Sequence, residues 1–161
     1  MQLLELSGMN GMFYIDSFPY EIELTARVCH ENAKLLLESV TNEVTIDEFT
    51  VLDTLIARPN LSQADLSRLI LKGKAHTGRF LMSLEEKGFI TRRVVERGGK
   101  LIKVSDVTDK GYKLYTSIVE DFRPSVEKFE KVISEEEIYK ITENLRKLRV
   151  AIENISKIVF E

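Results

Sequence analysis

The sequence predicts a mainly α-helical fold with one small β-hairpin, an α+β arrangement. Three observations predict it. Apolar residues recur at spacings of three and four over most of the 161 residues, as amphipathic helices require. That period gives way once, between Phe89 and Val107, to two short β-rich runs around Gly98-Gly99. The composition, 43% hydrophobic and 30% charged with 3 Pro and 8 Gly, supports a sizeable core under a solvated helical surface.

The opening stretch, MQLLELSGMNGMFYID, has neither a basic leader nor a long apolar run and is not expected to be a secretory signal. From Ile22 to Val40, the residues Ile22, Ala26, Cys29, Ala33, Leu36 and Val40 form one apolar stripe of a helix. Leu24, Val28 and Leu35 form a second stripe on another side. A helix apolar on two sides needs cover on two sides, so this one is expected to be wedged between its own domain and a partner.

TIDE at Thr45–Glu48 is a capping box opening a second helix, with Phe49, Leu52, Leu55 and Ile56 inward, and Pro59-Asn60 ends it. SQAD at Ser62–Asp65 opens a short third helix with Leu66, Leu69 and Ile70 inward. After Gly73 a fourth helix runs to Lys87, burying Phe80, Leu81 and Leu84, and Gly88 stops it. FITRRVV and LIKVSDV then pair as a hairpin across ERGGK.

Thr108 caps a long helix with Tyr112, Tyr115, Ile118, Phe122, Val126, Phe129 and Ile133 inward, and Pro124 is expected to kink or interrupt it. SEEE at Ser134–Glu137 opens the last helix. There Ile138, Ile141, Leu145, Leu148, Ile152, Ile155 and Val159 alternate at three and four, a heptad seam that wants another helix against it. No internal repeat or flexible linker is evident. The organisation expected is a dimerisation segment over 1–44, a helix-turn-helix and hairpin over 45–108, and dimerisation helices over 109–161.

Net charge is −3, but its distribution is uneven. Between Arg58 and Lys113 the local charge is +7, and the remainder carries −10. Such a basic middle in an acidic body suits a polyanion-binding face, because phosphate contacts need clustered Lys and Arg. The one cysteine, Cys29, excludes an internal disulfide framework and fits a reducing cytoplasm. The apolar runs fall far short of the ~20 residues that cross a bilayer, so no membrane partner is expected.

The stretch GKAHTGRF, Gly73 to Phe80, invites two readings. It is one step from the phosphate loop G-x-x-x-x-G-K-[ST]. That loop, however, follows a β-strand and needs its Lys for phosphate and its Ser/Thr for magnesium. Here a helical segment precedes it, Arg79 replaces the Lys, and Phe80 stands in the hydroxyl's place. The second reading has its context: two short helices joined at Leu71–Gly73 form a helix-turn-helix, whose second helix enters the major groove N-terminus first. Lys74, His76, Thr77 and Arg79 lie on its early turns as polar donors, and Gly78 is expected to let the helix approach DNA closely. The hairpin that follows, with Arg92, Arg93, Arg97, Lys100 and Lys103, is a basic wing.

LSQADLSRLI, GRFLMSLEEKGFITRR and VTDKG, in that order, make the span from about Thr45 to Gly111 resemble the MarR family, bacterial winged-helix regulators of the multiple-antibiotic-resistance type. The flanking helices match the family's order as well. The resemblance implies a cytoplasmic homodimer, built from N- and C-terminal helices, that binds a pseudo-palindromic double-stranded DNA operator and usually represses transcription. Many members release DNA when a small-molecule effector or oxidant acts near the junction of the dimer and DNA-binding parts. The helix-turn-helix residues expected at DNA are Ser62, Lys72, Lys74, Ala75, His76, Thr77 and Arg79. Those of the wing are Arg92, Arg97 and Lys100. The family's wing carries Asp-x-Arg, whose Arg often enters the minor groove; ERGGKL is displaced from it, which leaves Arg97 and Lys100 both open for that role. Gly78 stands where the family has a larger residue, so base preference does not transfer.

Some peroxide-sensing relatives use a cysteine in the first helix, which makes a redox switch at Cys29 the alternative reading. Free Cys behaves as a small hydrophobe, and Cys29 has no second Cys to pair with, so packing is expected instead. Two histidines and one cysteine, far apart, are a thin supply for a metal site. No Ser/His/Asp ordering assembles, and the carboxylates fall at caps or on solvated faces. Neither enzymatic activity nor a cofactor is expected.

Overall fold

Six α-helices and one antiparallel hairpin follow one another in a computed structural model that describes residues 14–160. The reading of residues 1–13 as no secretory signal lies outside the described residues. After a 3-10 turn at Tyr14–Asp16 come α1 (Phe18–Val40), α2 (Ile46–Ala57), α3 (Gln63–Leu69) and α4 (Lys74–Glu86). The hairpin β1 (Ile90–Arg97) and β2 (Lys100–Val107) follows, then α5 (Asp109–Glu130) and α6 (Glu135–Phe160).

The helix starts are fixed locally. Thr45 and Glu48 form the capping box of α2, and Ser62 and Asp65 that of α3. Ser134 and Glu137 exchange the same pair of bonds ahead of α6. α1 begins four residues before the Ile22 expected from periodicity, because Ser17 caps it and Pro19 sits in the first turn. Gly88, at φ +76°, ends α4, and Gly98 and Gly99, both at positive φ, close the hairpin with Arg97 opposite Lys100.

The chain divides into two compact units, one ending at Glu120 and the other beginning at Asp121. The core of the first joins Val51, Leu52 and Leu55 of α2 to Leu66 of α3 and to Leu81 and Leu84 of α4. Phe89, Ile90, Val104 and Ile118 complete it. α1 adds only Leu37 as a fully buried side chain, while Leu24, Val28 and Leu35 of its second stripe are exposed. Leu69, expected inward, is exposed. The buried side of α3 is centred between Leu66 and Ser67, which turns Leu69 outward.

VTDKG is the corner where the wing returns to the helices. Thr108 donates its N–H to the Phe89 carbonyl (3.0 Å) and its hydroxyl to that of Gly88 (2.8 Å), and it accepts from the Gly111 N–H (3.1 Å). A Cβ on Gly111 would lie 2.2 Å from the Phe89 oxygen, so α5 starts this close to β1 only because that residue is glycine. Further along α5, Tyr115 stacks on Phe49 and donates to Asp53 (2.9 Å). Ile118 is buried, whereas Tyr112, Val126 and Phe129 are exposed rather than inward. Pro124 does not interrupt the helix, which continues to Glu130 with one backbone donor fewer.

In the second unit, Ile138 and Leu148 of α6 are half-buried, and Ile141, Leu145, Ile152 and Ile155 are exposed. The side chain of Val159, the last position of the expected seam, lies outside those described. No described helix is long and apolar enough to cross a membrane.

Candidate nucleic-acid interface

GKAHTGRF forms the N-cap and opening turns of α4, preceded by a helix and not by the strand a phosphate loop needs. The turn from α3 reverses through Leu71, a non-glycine residue at φ +51°, and the Lys72 N–H bonds back to the Ser67 carbonyl (3.1 Å). The Gln63 amide then donates to the Lys74 carbonyl at 3.0 Å, tying the start of α3 to the start of α4. Gly78 serves this junction. A Cβ there would stand 3.0 Å from Gln63 Nε2, so its missing side chain leaves room for the Gln63 amide of the neighbouring helix.

α4 divides cleanly by face. Thr77, Leu81 and Leu84 are buried. Thr77, expected among the exposed donors, is instead fully covered, and its hydroxyl donates to the Gly73 carbonyl (3.2 Å). Lys74, Ala75, His76 and Arg79 are exposed on the outer side, with Met82 a turn beyond.

The cations around this face are of two kinds. Lys74, Arg79 and Lys100 are exposed and have no ion-pair partner among the described residues. Several others are engaged. Arg92, expected at DNA, is a strut: its guanidinium binds Glu85 twice, once at 2.7 Å through Nε, and its side chain is only 15% exposed. That guanidinium holds the Glu85 carboxyl below the usual carboxylate range. Lys72 pairs with Asp47 at 3.0 Å. Ser62 spends its hydroxyl on the α3 capping box (2.6 Å to Asp65), which holds Asp65 below its ordinary pKa.

Sequence reasoning missed Asn60. In the left-handed conformation at φ +64°, it accepts from Arg93 through its side chain (2.6 Å) and from Arg97 through its carbonyl (2.7 Å). Arg93 also pairs with Asp106 across the hairpin, and Arg97 lies 3.7 Å from Asp65. The wing is thus fastened to the loop ahead of α3 both at mid-strand, through Arg93, and beside its turn, through Arg97. The Pro-Asn signal marks a turn there, but nothing local marks the partners, which lie more than thirty residues on.

Cys29, expected to pack, is exposed on α1, as is His30 beside it. No group of three or more potential metal ligands occurs among the described residues. A cavity of about 380 Å³ opens between the end of α1 and the start of α2, lined among others by Lys34, Glu38, Thr41, Asn42, Glu48 and Lys87.

A helix-turn-helix with a two-stranded hairpin fastened beside it is a winged helix-turn-helix. Residues 44–94 match the model of the MarR family. The whole architecture is similar to the S. aureus MepR–DNA complex, at 22% identity and TM-score 0.70, covering 87% of this chain and 99% of that one. It is similar too to the PcaV transcriptional regulator from Streptomyces coelicolor in complex with its natural ligand (17%, TM-score 0.68, covering 88% and 99%). The transcriptional regulator SlyA gives 25% identity and TM-score 0.68 over 86% and 96%. No curated protein sequence matches the chain.

Proposed function

We propose that the chain is a homodimeric transcription regulator, acting as a repressor, that binds a pseudo-palindromic double-stranded DNA operator through α4 and the wing. The observation that carries this reading is the division of α4: a buried inner face beneath an outer face of Lys74, Ala75, His76 and Arg79, whose cations are left unpaired among the described residues. Short or flexible donors on the first turns of the second helix suit base edges, and the wing's Lys100 suits the backbone or minor groove. Residues 45–108 form the DNA-binding part in this reading, and residues 1–44 and 109–161 the dimer. The exposed apolar positions of α1 and α6 support that division.

MepR's structure with DNA and PcaV's with a ligand make the same two events reasonable for this chain. A small effector has a place in the 380 Å³ cavity beside α2, where polar groups of both signs surround it. Titration of genomic duplex fragments that co-purify with the protein tests the reading. Salt-dependent binding of particular fragments is expected, and its absence at every salt concentration overturns the proposal.

A further inference from the structure

Beside the turn between α3 and α4 lies a hollow of about 490 Å³ lined by Ala64, Ser67, Arg68, Lys72, Gly73 and Lys74. Two independent features of it go unused by the fold. Gly73 is the N-cap of the 13-residue α4 and supplies no capping side chain, so first-turn N–H groups are left without the partner a Ser or Asp would give. Ser67 is only 7% exposed, and its hydroxyl has no hydrogen-bond partner among the described residues. Buried hydroxyls are seldom left in this state without a reason.

The chemistry of the hollow has one sign. The helix N-terminus contributes about half a positive charge. Lys74 has no ion-pair partner among the described residues, and Arg68 and Lys72 stand at the rim with their charges shared with Asp65 (2.6 Å) and Asp47 (3.0 Å). No carboxylate lines the hollow itself. Backbone donors, a hydroxyl and the unpaired Lys74 ammonium, with no carboxylate in the lining, select an oxyanion over a base edge.

We propose that this hollow is a phosphate site and that its occupant is one backbone phosphodiester of the bound duplex. The inference rests on the DNA-binding reading above and deepens it: the turn between α3 and α4 sets the protein's register on the backbone, and the outer face of α4 reads bases. Contacts to phosphate position a protein on DNA without reading sequence.

The test uses the full chain and an operator duplex with one methylphosphonate placed at each backbone position in turn. Native protein is expected to lose about tenfold in affinity at one position per half-site, as befits a lost charge-assisted hydrogen bond. Gly73→Asn fills the free cap with a neutral side chain. The backbone there, at φ −60° and ψ 150°, accepts any residue, and a Cβ meets nothing nearer than His76 Nδ1 at 3.8 Å. Gly73→Asn should therefore fold at least as well while the methylphosphonate effect disappears. Ser67→Ala should shrink that effect, again without harm to folding. An undiminished effect in both variants overturns the proposal, as does a scan with no sensitive position. Saturable binding of inorganic phosphate alone, read from the Lys74 and Ala75 amide signals at concentrations below those of a cell, overturns the assignment to DNA in favour of a free anion. Tight, sequence-selective duplex binding that is indifferent to every methylphosphonate sinks this site and leaves the regulator reading standing; failure to bind any duplex sinks both.

Discussion

Lys87 Nζ lies 2.9 Å from both carboxylate oxygens of Glu48, joining the first turn of α2 to the end of α4 across 39 positions of sequence. Glu48 also closes the α2 capping box through the Thr45 N–H (2.8 Å). Its side chain is 5% exposed while that of Lys87 is 37%, so the carboxylate is buried and the ammonium remains partly in water. One residue therefore caps a helix and clamps α4 to the core.

Removing it should be felt in stability before it is felt at DNA. Glu48→Ala is expected to destabilise the protein by about 2–3 kcal/mol, combining a lost cap with a lost, partly solvated ion pair. Urea midpoints measure this, and a shift below a few tenths of a kcal/mol would show that the clamp is ornamental.

The same carboxylate sets a pH dependence. Burial pushes its pKa up, but hydrogen bonds from Ser83, Lys87 and Thr45 outweigh burial and hold it below the usual glutamate value. A carboxyl depressed on folding stabilises the fold fully above its unfolded pKa of about 4.3, and that stabilisation is lost as pH falls through the folded value. The stability gap between native protein and Glu48→Gln should therefore be constant from pH 7 to about pH 5 and close on further acidification. A gap that widens as the pH falls would contradict the assignment.

Three glycines should respond in three ways to alanine. Gly111→Ala places a Cβ 2.2 Å from a backbone oxygen and should cost more than about 3 kcal/mol or prevent folding. Gly98→Ala meets open space but keeps a φ of +58°, for about 1–2 kcal/mol. Gly78→Ala gains about 1 kcal/mol of helix propensity while displacing the flexible end of Gln63, and should come out near neutral. Thermal melts of the three variants rank them, and a harmless Gly111→Ala would mean that the start of α5 can move away from Phe89 at little cost.

Most of this frame is legible from local signals, because caps, turns and periodicity act over four residues or fewer. TIDE, SQAD and SEEE each become the cap they spell, and Gly98-Gly99 the turn. What the sequence hides are partnerships across space. Arg92 reads as a free cation because Glu85 sits on the preceding helix, across the turn at Gly88. Thr77 reads as exposed because its hydroxyl suits either face, and only the packing of Leu81 and Leu84 fixes which face is inner. The Asn60 and Glu48 contacts are invisible for the same reason.

Arg79 and Arg92 carry the same charge, yet their variants should separate. Arg79→Ala should weaken operator binding by about 1–3 kcal/mol with the melting temperature unchanged, since the residue is exposed and has no ion-pair partner among the described residues. Arg92→Ala should lower the melting temperature by releasing Glu85. Anisotropy titrations and melts of both proteins decide it; equal losses of affinity without a stability change would return Arg92 to the DNA surface.

The final helix should hold a dimer. Within one chain Ile141, Leu145, Ile152 and Ile155 are exposed at 41–53%, in a row along one side of the helix. Burying such a row stabilises by about 25 cal/mol per Å² of apolar surface, and a second copy of the chain offers the same row in return. A two-fold dimer also presents two copies of α4 to an operator, at the spacing of about 34 Å that half-sites one helical turn apart demand. Leu145→Asp together with Leu148→Asp puts charges into that row and should yield monomer or unfolded chain. Tight operator binding should go with it, although no residue of the DNA-facing surface has changed. Light scattering measures the outcome: the native protein should appear at twice the 18.5 kDa chain mass, and a folded native monomer at micromolar concentration would overturn the dimer.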